Sequence, residues 1–316
     1  MKLSVAMITY NHERFISQAI ESVLTQKADF DFEIVIGEDC STDTTREVVA
    51  DFQRRYPQRI VALLRPHNVG AMRNLQATLA ACKGEYIAFL EGDDYWTRED
   101  KLQRQVEFLD RHPECAISCH RARYLYEVGV GSTVVAPTLP AGTYNLDDLL
   151  AGNFMMMCSA VCRWGLLGRL PDWFHGLELA DWPMFALLAR KGTIELMDDV
   201  MAVYRVHPGG VWSGRSETRR LQEAIQMLKI LERELPQTHA QAIRKTVAQL
   251  YLRMAEIAQS DGRRANTGMY VLDCLRSGGA TLPGAGPVLR GLFWYSILGG
   301  WHSPLAKAKR AILNRG

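Results

Sequence analysis

The sequence predicts an α/β fold, in which a mostly parallel sheet is flanked by helices and followed by an all-α C-terminal region. Two observations carry the first part. Short apolar runs, Leu3–Ile8, Phe32–Gly37, Ile60–Leu64 and Tyr86–Leu90, alternate with stretches whose apolar residues recur at helical spacing. Several of these runs also close on small polar or acidic residues, as strands do when they deliver their ends to one rim of a sheet. The third observation is that beyond Ser216 only the helical period remains. This divides the chain into residues 1–215, the sheet domain, and 216–316, the helical region.

In order, the first run breaks at Thr9-Tyr10-Asn11-His12, and Phe15, Ile16, Ala19, Ile20, Val23 and Leu24 then mark a helix. The second run ends in Glu38-Asp39-Cys40-Ser41-Thr42-Asp43, which turns the chain and supplies caps for a helix carrying Val48, Val49 and Phe52. The third passes through Asn68-Val69-Gly70 into a helix around Leu75 to Ala81. The fourth runs without a break into Glu91-Gly92-Asp93-Asp94. A helix from Glu99 to Arg111 follows, with Leu102, Val106 and Leu109 on one face, and then a strand near Ala116 to Cys119. Strands alternating with helices of this length imply parallel pairing through crossovers.

With 316 residues the chain can bury a full core. A formal net charge of +2 leaves no global footprint for nucleic acid, so no nucleic-acid partner is expected. Seven cysteines lie scattered without a CxxC pair, which fits buried thiols in a reducing cytoplasm better than a disulfide framework. Cys115, Cys119, His120, Cys158 and Cys162 do not have the spacing of a structural zinc site. The N-terminus opens directly on a strand pattern, so no signal peptide is expected, and no apolar run reaches the length of a membrane span.

Neither G-x-G-x-x-G nor G-x-x-x-x-G-K-[ST] follows a strand, so a glycine-rich phosphate cradle is not supported. Phosphates would need a metal instead, and adjacent carboxylates at a strand end can ligate a hard divalent cation. The competing reading of Asp93 and Asp94 is that they only cap a turn and the next helix. Asp39 at the end of the second strand puts a further acid at the same rim.

Four separated segments, Val5-Ala6-Met7-Ile8-Thr9-Tyr10-Asn11, Glu38-Asp39-Cys40-Ser41-Thr42-Asp43, Gly84 to Asp94, and Asp181-Trp182-Pro183 with Tyr204 to Gly210, resemble glycosyltransferase family 2 in the right order. The resemblance covers about the first two-thirds of the chain and implies the GT-A fold. It implies a nucleoside-diphosphate sugar as donor, a saccharide or lipid-linked saccharide as acceptor, inversion at the anomeric carbon, and Mn²⁺ or Mg²⁺ as cofactor. Carried over residue by residue, it places Thr9, Tyr10, Asn11, Glu38, Asp39, Arg73 and Asp93 on the donor. Asp39 would accept from a uracil-type base, and Asp94, helped by Asp93, would hold the metal. Where the family usually has Asp-Asp-Gly-Ser this chain has Glu38-Asp39-Cys40-Ser41, so the base-contacting acid stays while Cys replaces Gly in the turn.

Asp181 matches the position of the family's catalytic base, with Glu178 one helical turn earlier in reserve. Trp173, Trp182 and Arg205 are expected on the acceptor side, since an aromatic face suits sugar C–H surfaces. The alternatives are that the tryptophans are core and that Asp181 only caps the helix Met184 to Lys191. Arg205 could bind a phosphate and His207 could reach the metal or the diphosphate, or both only fix the turn before Gly209-Gly210. Val128 to Thr143 reads as a long loop, Asp147 to Leu150 as a short helix, and Phe154 through Val161 as strand or helix end.

The last segment, Val288 to Arg315, mixes aromatic and basic residues. It describes either a helix lying on the inner face of the plasma membrane or a helix docked on its own domain. A non-catalytic nucleotide-sugar-binding scaffold in polysaccharide assembly is the alternative function, and the intact Asp39, Asp93, Asp94 and Asp181 argue against it. A nucleotidyltransferase would want a glycine-rich basic loop where Tyr10-Asn11-His12-Glu13 stands.

Overall fold

The computed structural model describes residues 1–127, 134–168, 170–178, 181–210 and 214–298. Strands β1 (Leu3–Thr9), β2 (Phe32–Glu38), β3 (Ile60–Leu64) and β4 (Tyr86–Phe89) pair in parallel in the spatial order β3-β2-β1-β4. Helices α1 (Ile16–Leu24), α2 (Thr45–Arg55) and α3 (Ala71–Ala81) connect them. The chain runs outward through β2 and β3 and then returns to place β4 on the other side of β1. That reversal of strand order opens a crevice beyond the carboxyl ends of β1 and β4, where open α/β sheets take ligands.

The core explains why these segments are strands. Every residue of β2 is buried, and Leu3, Val5 and Met7 of β1 together with Tyr86 and Ala88 of β4 join one apolar cluster. Each fully buried aliphatic side chain contributes about 1.5–3 kcal/mol relative to exposure. Helix α1 presents Ile16, Ala19, Ile20 and Val23 to that cluster. Gly37 of β2 is the point of closest approach of α3: a Cβ there would fall 2.1 Å from Thr78 Oγ1 and 2.5 Å from Asn74 Oδ1. Its carbonyl instead accepts from Asn74 Nδ2 at 2.7 Å.

After a two-residue strand β5 (Tyr95–Trp96) and helix α4 (Lys101–Arg111), the sheet departs from the simple alternation. Strand β6 (Cys115–Tyr126) is far longer than the run at Ala116 to Cys119 indicated, and its burial falls off only beyond Ala122. The expected loop from Val128 to Thr143 contains two short strands, β7 (Val134–Ala136) on β6 and β8 (Gly142–Tyr144), with 128–133 outside the described residues. Helix α5 (Leu146–Ala151) follows.

The Phe154 to Val161 run resolves into a 3-10 turn, Met157–Ser159, and strand β9 (Val161–Arg163). Strand β9 inserts antiparallel between β4 and β6, so the mostly parallel sheet has an antiparallel member at its centre. Helix α6 (Asp181–Ala189) starts three residues before the expected Met184, so Asp181 stands in the first helical turn rather than in front of it. Strand β10 (Thr193–Val206), of which the sequence reading singled out only the end, pairs in parallel with β6 and antiparallel with β8 and β5. Register shifts between Met197 and Ala202 bend it, and its last residues come back beside Asp94.

Two compact units result. The first comprises Met1–Leu149 and Asn153–Gly214, and the second takes in Leu150–Gly152 and the chain from Arg215. The second unit is helical: α7 (Glu217–Glu234), capped by Ser216 accepting from the Arg219 N–H at 3.3 Å, then α8 (Ala240–Ser260), α9 (Arg264–Arg276) and α10 (Ala285–Leu298). No helix among the described residues is long and apolar enough to cross a membrane. All seven cysteines are free thiols, five of them buried, as their scattered placement indicated.

Candidate active site

The crevice is lined by the loop after β1, the loop after β2, the turn after β4 and the end of β10. The β1 loop is held in shape by Asn11, which adopts a left-handed backbone (φ 55°) and accepts the Thr42 N–H on its Oδ1 at 2.8 Å. The β2 loop turns at Cys40, also left-handed (φ 59°), so the turn that usually uses glycine is made here with a Cβ present. Glu38, expected to face a donor, is completely buried and accepts from the Ser41 N–H at 2.6 Å and from Arg46 at 3.1 Å. It braces the loop instead. Asp39, 2 % exposed, accepts the backbone N–H groups of Val69 (2.8 Å) and Gly70 (2.9 Å), tying this loop to the start of α3. Arg73 is exposed on the first turn of α3, and Tyr10 is 42 % exposed on the β1 loop.

Asp93 and Asp94 point to different partners. Asp94 is 1 % exposed; its Oδ1 accepts the Arg205 N–H at 2.8 Å, and its Oδ2 is buried without a hydrogen-bond partner. Burial, then the charges of Asp93 and Glu91, push its carboxyl well above the usual range. Asp93 Oδ2 lies 3.0 Å from His207 Nε2 and 3.8 Å from His12 Nε2. Although burial works against it, the His207 hydrogen bond and the two imidazoles hold the Asp93 carboxyl below the usual range. The ligating atoms of His12, Asp93 and His207 all lie within 4.8 Å of one another, and among the described residues this is the group able to hold a metal ion.

The geometry groups the candidate ligands differently from the sequence expectation. Asp94 is not part of the cluster: its Oδ1 accepts from β10, while its Oδ2 is buried without a partner. His12, which the sequence reading passed over, is part of it. Its Nδ1 lies 3.2 Å from Thr9 Oγ1, so the 2 % exposed Thr9 serves to orient the imidazole. Burial lowers the His12 pKa, which keeps the ring in the neutral form a metal needs. Phe15 packs on His207 with ring centroids 5.0 Å apart. A carboxylate with two imidazoles, one of them oriented by a hydroxyl, fits a divalent first-row cation.

Arg205, expected on the acceptor side, is engaged within the protein. It is 6 % exposed, donates to the Asp93 carbonyl and to Gln18, and lies over the rings of Phe15 (4.8 Å) and Tyr95 (4.6 Å). Its role is to clamp the acidic turn. Trp182 is likewise core: it is 8 % exposed, and its indole N–H donates to the Leu149 carbonyl at 3.0 Å. Trp173 sits half-buried in the 3-10 turn Asp172–Gly176. Glu178 is exposed, and residues 179 and 180 between it and α6 lie outside the described residues.

Asp181 opens α6, is only partly exposed, and takes an N–H of Asn153 on Oδ2 at 2.9 Å. Burial raises its pKa, while the Trp182 backbone N–H and Asn153 oppose the rise. Glu91 ties the two ends of the site together. Its Oε2 is buried without a partner, and burial, then the charges of Asp93 and Asp181, push its carboxyl up to about 8. Glu91 was legible in the sequence only as the end of a strand.

A model of glycosyl transferase family 2 matches residues 4–166. The chain belongs to glycosyl transferase family 2. Among relatives, an uncharacterized protein of Mycobacterium tuberculosis is 36% identical over 69% of this chain, which spans 62% of that protein's length. The putative teichuronic acid biosynthesis glycosyltransferase TuaG of Bacillus subtilis is 27% identical over 73% of this chain and 90% of its own. Of solved structures, Staphylococcus aureus TarS residues 1–349 with UDP-GlcNAc superposes with a TM-score of 0.66 at 18% identity, covering 98% of this chain and 92% of that one. The mannosyltransferase PcManGT of Pyrobaculum calidifontis, with GDP-Man and Mn²⁺, gives 0.63 at 17% identity, over 100% of this chain and 81% of that one. At such identities the likeness is one of fold, and the fold shared is GT-A.

Proposed function

We propose that this chain is a metal-dependent, inverting glycosyltransferase that moves a sugar from a uridine or thymidine diphosphate donor to a saccharide or lipid-linked saccharide. The observation that carries this reading is the His12, Asp93 and His207 cluster beyond the carboxyl ends of β1 and β4, in a chain of glycosyl transferase family 2. Direct displacement at the anomeric carbon needs the acceptor hydroxyl to lose its proton as its oxygen bonds to C1 and the bond from C1 to the diphosphate breaks. Asp181 takes that proton, and its raised pKa makes it a better base than an exposed carboxylate. His12, Asp93 and His207 hold the cation, which when bound would neutralise the charge that develops on the departing diphosphate.

Tyr10 offers an exposed ring to the nucleotide base. Two backbone N–H groups occupy part of the Asp39 carboxylate, and its remaining lone pairs can accept the ring N–H of uracil or thymine, which cytosine lacks. A role in glycopolymer assembly is supported by TuaG, named for teichuronic acid biosynthesis, and TarS, named a poly(ribitol-phosphate) N-acetylglucosaminyltransferase.

Peripheral contact with an anionic membrane surface is part of the proposal. Helix α10 exposes Phe293, Trp294 and Ile297 at 40–49 %, and the sequence has no acidic residue after Asp273 while carrying six cations. The test of the catalytic reading is release of nucleoside diphosphate from a panel of nucleotide sugars with Mn²⁺. Asp181→Asn should bind donor normally and lose about a hundredfold or more in turnover; near wild-type turnover would refute the base assignment.

A further inference from the structure

Asn153 follows α5 and precedes the 3-10 turn at Met157, and its side chain is engaged at both ends. Its Oδ1 accepts the Met155 N–H at 3.1 Å, and its Nδ2 donates to Asp181 Oδ2 at 2.9 Å. The two bonds fix which way the amide points: a flipped amide would set its oxygen against the Asp181 carboxylate and its NH₂ against the Met155 N–H, losing both. We propose that Asn153 is the positioning residue of the catalytic base, holding the Asp181 carboxylate at one angle in the crevice. The inference rests on Asp181 being that base.

Positioning and tuning go together here. One oxygen of Asp181 is held by the amide, so the lone pairs left for the acceptor proton keep one direction, and a general base must meet its proton within hydrogen-bond reach. The same bond stabilises the ionised form against a burial that pushes its pKa up. Asp181 in turn raises the Glu91 carboxyl through its charge, while no charged side chain contributes to the shift of Asp181 itself. Helix α6 carries no other ionisable residue, and on α5 Asp147 and Asp148 are exposed, with Asp148 accepting the Asn145 N–H. Removing the Asn153 donor therefore leaves burial opposed only by backbone N–H groups, those of Trp182 and of Asp181 itself.

The test follows the Asp181 carboxyl directly, in full-length protein labelled with ¹³Cγ-aspartate, the resonance being assigned by its loss in Asp181→Asn. Asn153→Ala should raise its titration midpoint by about one pH unit, the shift that a lost hydrogen bond to a charged group corresponds to. An unchanged midpoint overturns the proposal. Asn153→Asp keeps the oxygen that accepts the Met155 N–H but has no donor, so it guards against local unfolding and should move the midpoint higher still through like charge. If neither variant moves the midpoint, Asn153 is only a brace of its own turn. Diphosphate release from UDP-N-acetylglucosamine and the other nucleotide sugars in Asp181→Asn separates the two claims. Full release there removes the base reading whatever the titration shows, whereas abolished release with an unshifted midpoint leaves the base standing and removes Asn153.

Discussion

Exchanging the two adjacent acids one at a time distinguishes the metal set seen in the structure from the one that the acidic pair first indicates. Asp93→Asn leaves the size of the side chain and removes the charged member of a three-residue ligand set whose atoms lie within 4.8 Å. Loss of groups that merely orient ligands costs about 10- to 100-fold in metal affinity, so loss of the anionic ligand itself should cost at least 100-fold, or about 2.7 kcal/mol. Asp94→Asn should behave differently. The amide oxygen can still accept the Arg205 N–H found at 2.8 Å, so the clamp on the acidic turn stays. Asp94 lies outside the three-residue cluster, so the ligand set itself is unchanged. The expected change in affinity is within about threefold, under 1 kcal/mol. Titration calorimetry of uridine diphosphate with and without Mn²⁺ reads both variants. The reasoning is wrong if Asp94→Asn loses the Mn²⁺-dependent part of binding while Asp93→Asn keeps it.

Three further outcomes are expected. Cys40→Gly should raise stability by roughly 0.5–1 kcal/mol, because a left-handed non-glycine residue costs about 1–2 kcal/mol and the flexibility of glycine in the unfolded chain offsets part of it; a melting temperature that falls would show the turn to be unstrained. Lys101 is fully buried, its Nζ lies 4.0 Å from the Trp96 ring centre without a hydrogen-bond partner, and burial drags its pKa down to about 7. Because the unfolded chain holds that proton up to the ordinary value of 10.5, the Lys101 term of stability should rise with pH between about 7 and 10, and Lys101→Met should stabilise the protein by about 1–4 kcal/mol at pH 7. Denaturant midpoints for both proteins at pH 6 and pH 9 check this, and a gain for Met that does not shrink at the higher pH contradicts it. Finally, Phe293→Ser with Trp294→Ser should abolish co-sedimentation with phosphatidylglycerol vesicles at low salt and leave donor binding unchanged; wild-type protein that stays in the supernatant rules the contact out.

The sequence by itself determined the first four strands and their helices. Their apolar residues fall on unbroken runs and helical faces, and burial in a parallel sheet demands that pattern whatever the rest of the chain does. It also placed Asp39, Asp93 and Asp181 in candidate roles, because acids after strand ends and at helix starts are local features. The inserted strand β9 and most of β10 were not legible. Strand β9 is three residues long, and β10 mixes Glu195, Asp198 and Asp199 into its apolar residues, so neither carries the period of a buried strand.

Only the tertiary structure decided which way the adjacent carboxylates face. In the folded chain β10 returns antiparallel to β5 and sets the Arg205 N–H on Asp94, a contact 111 residues apart in sequence, and the next acid is thereby left to meet His207 and His12. Arg205 and Trp182, read from the sequence as acceptor-side candidates, likewise have polar atoms engaged by distant backbone carbonyls, those of Asp93 and Leu149. A side chain's chemistry is local to its residue. Whether its polar atoms are free for a ligand depends on which distant backbone groups have already claimed them.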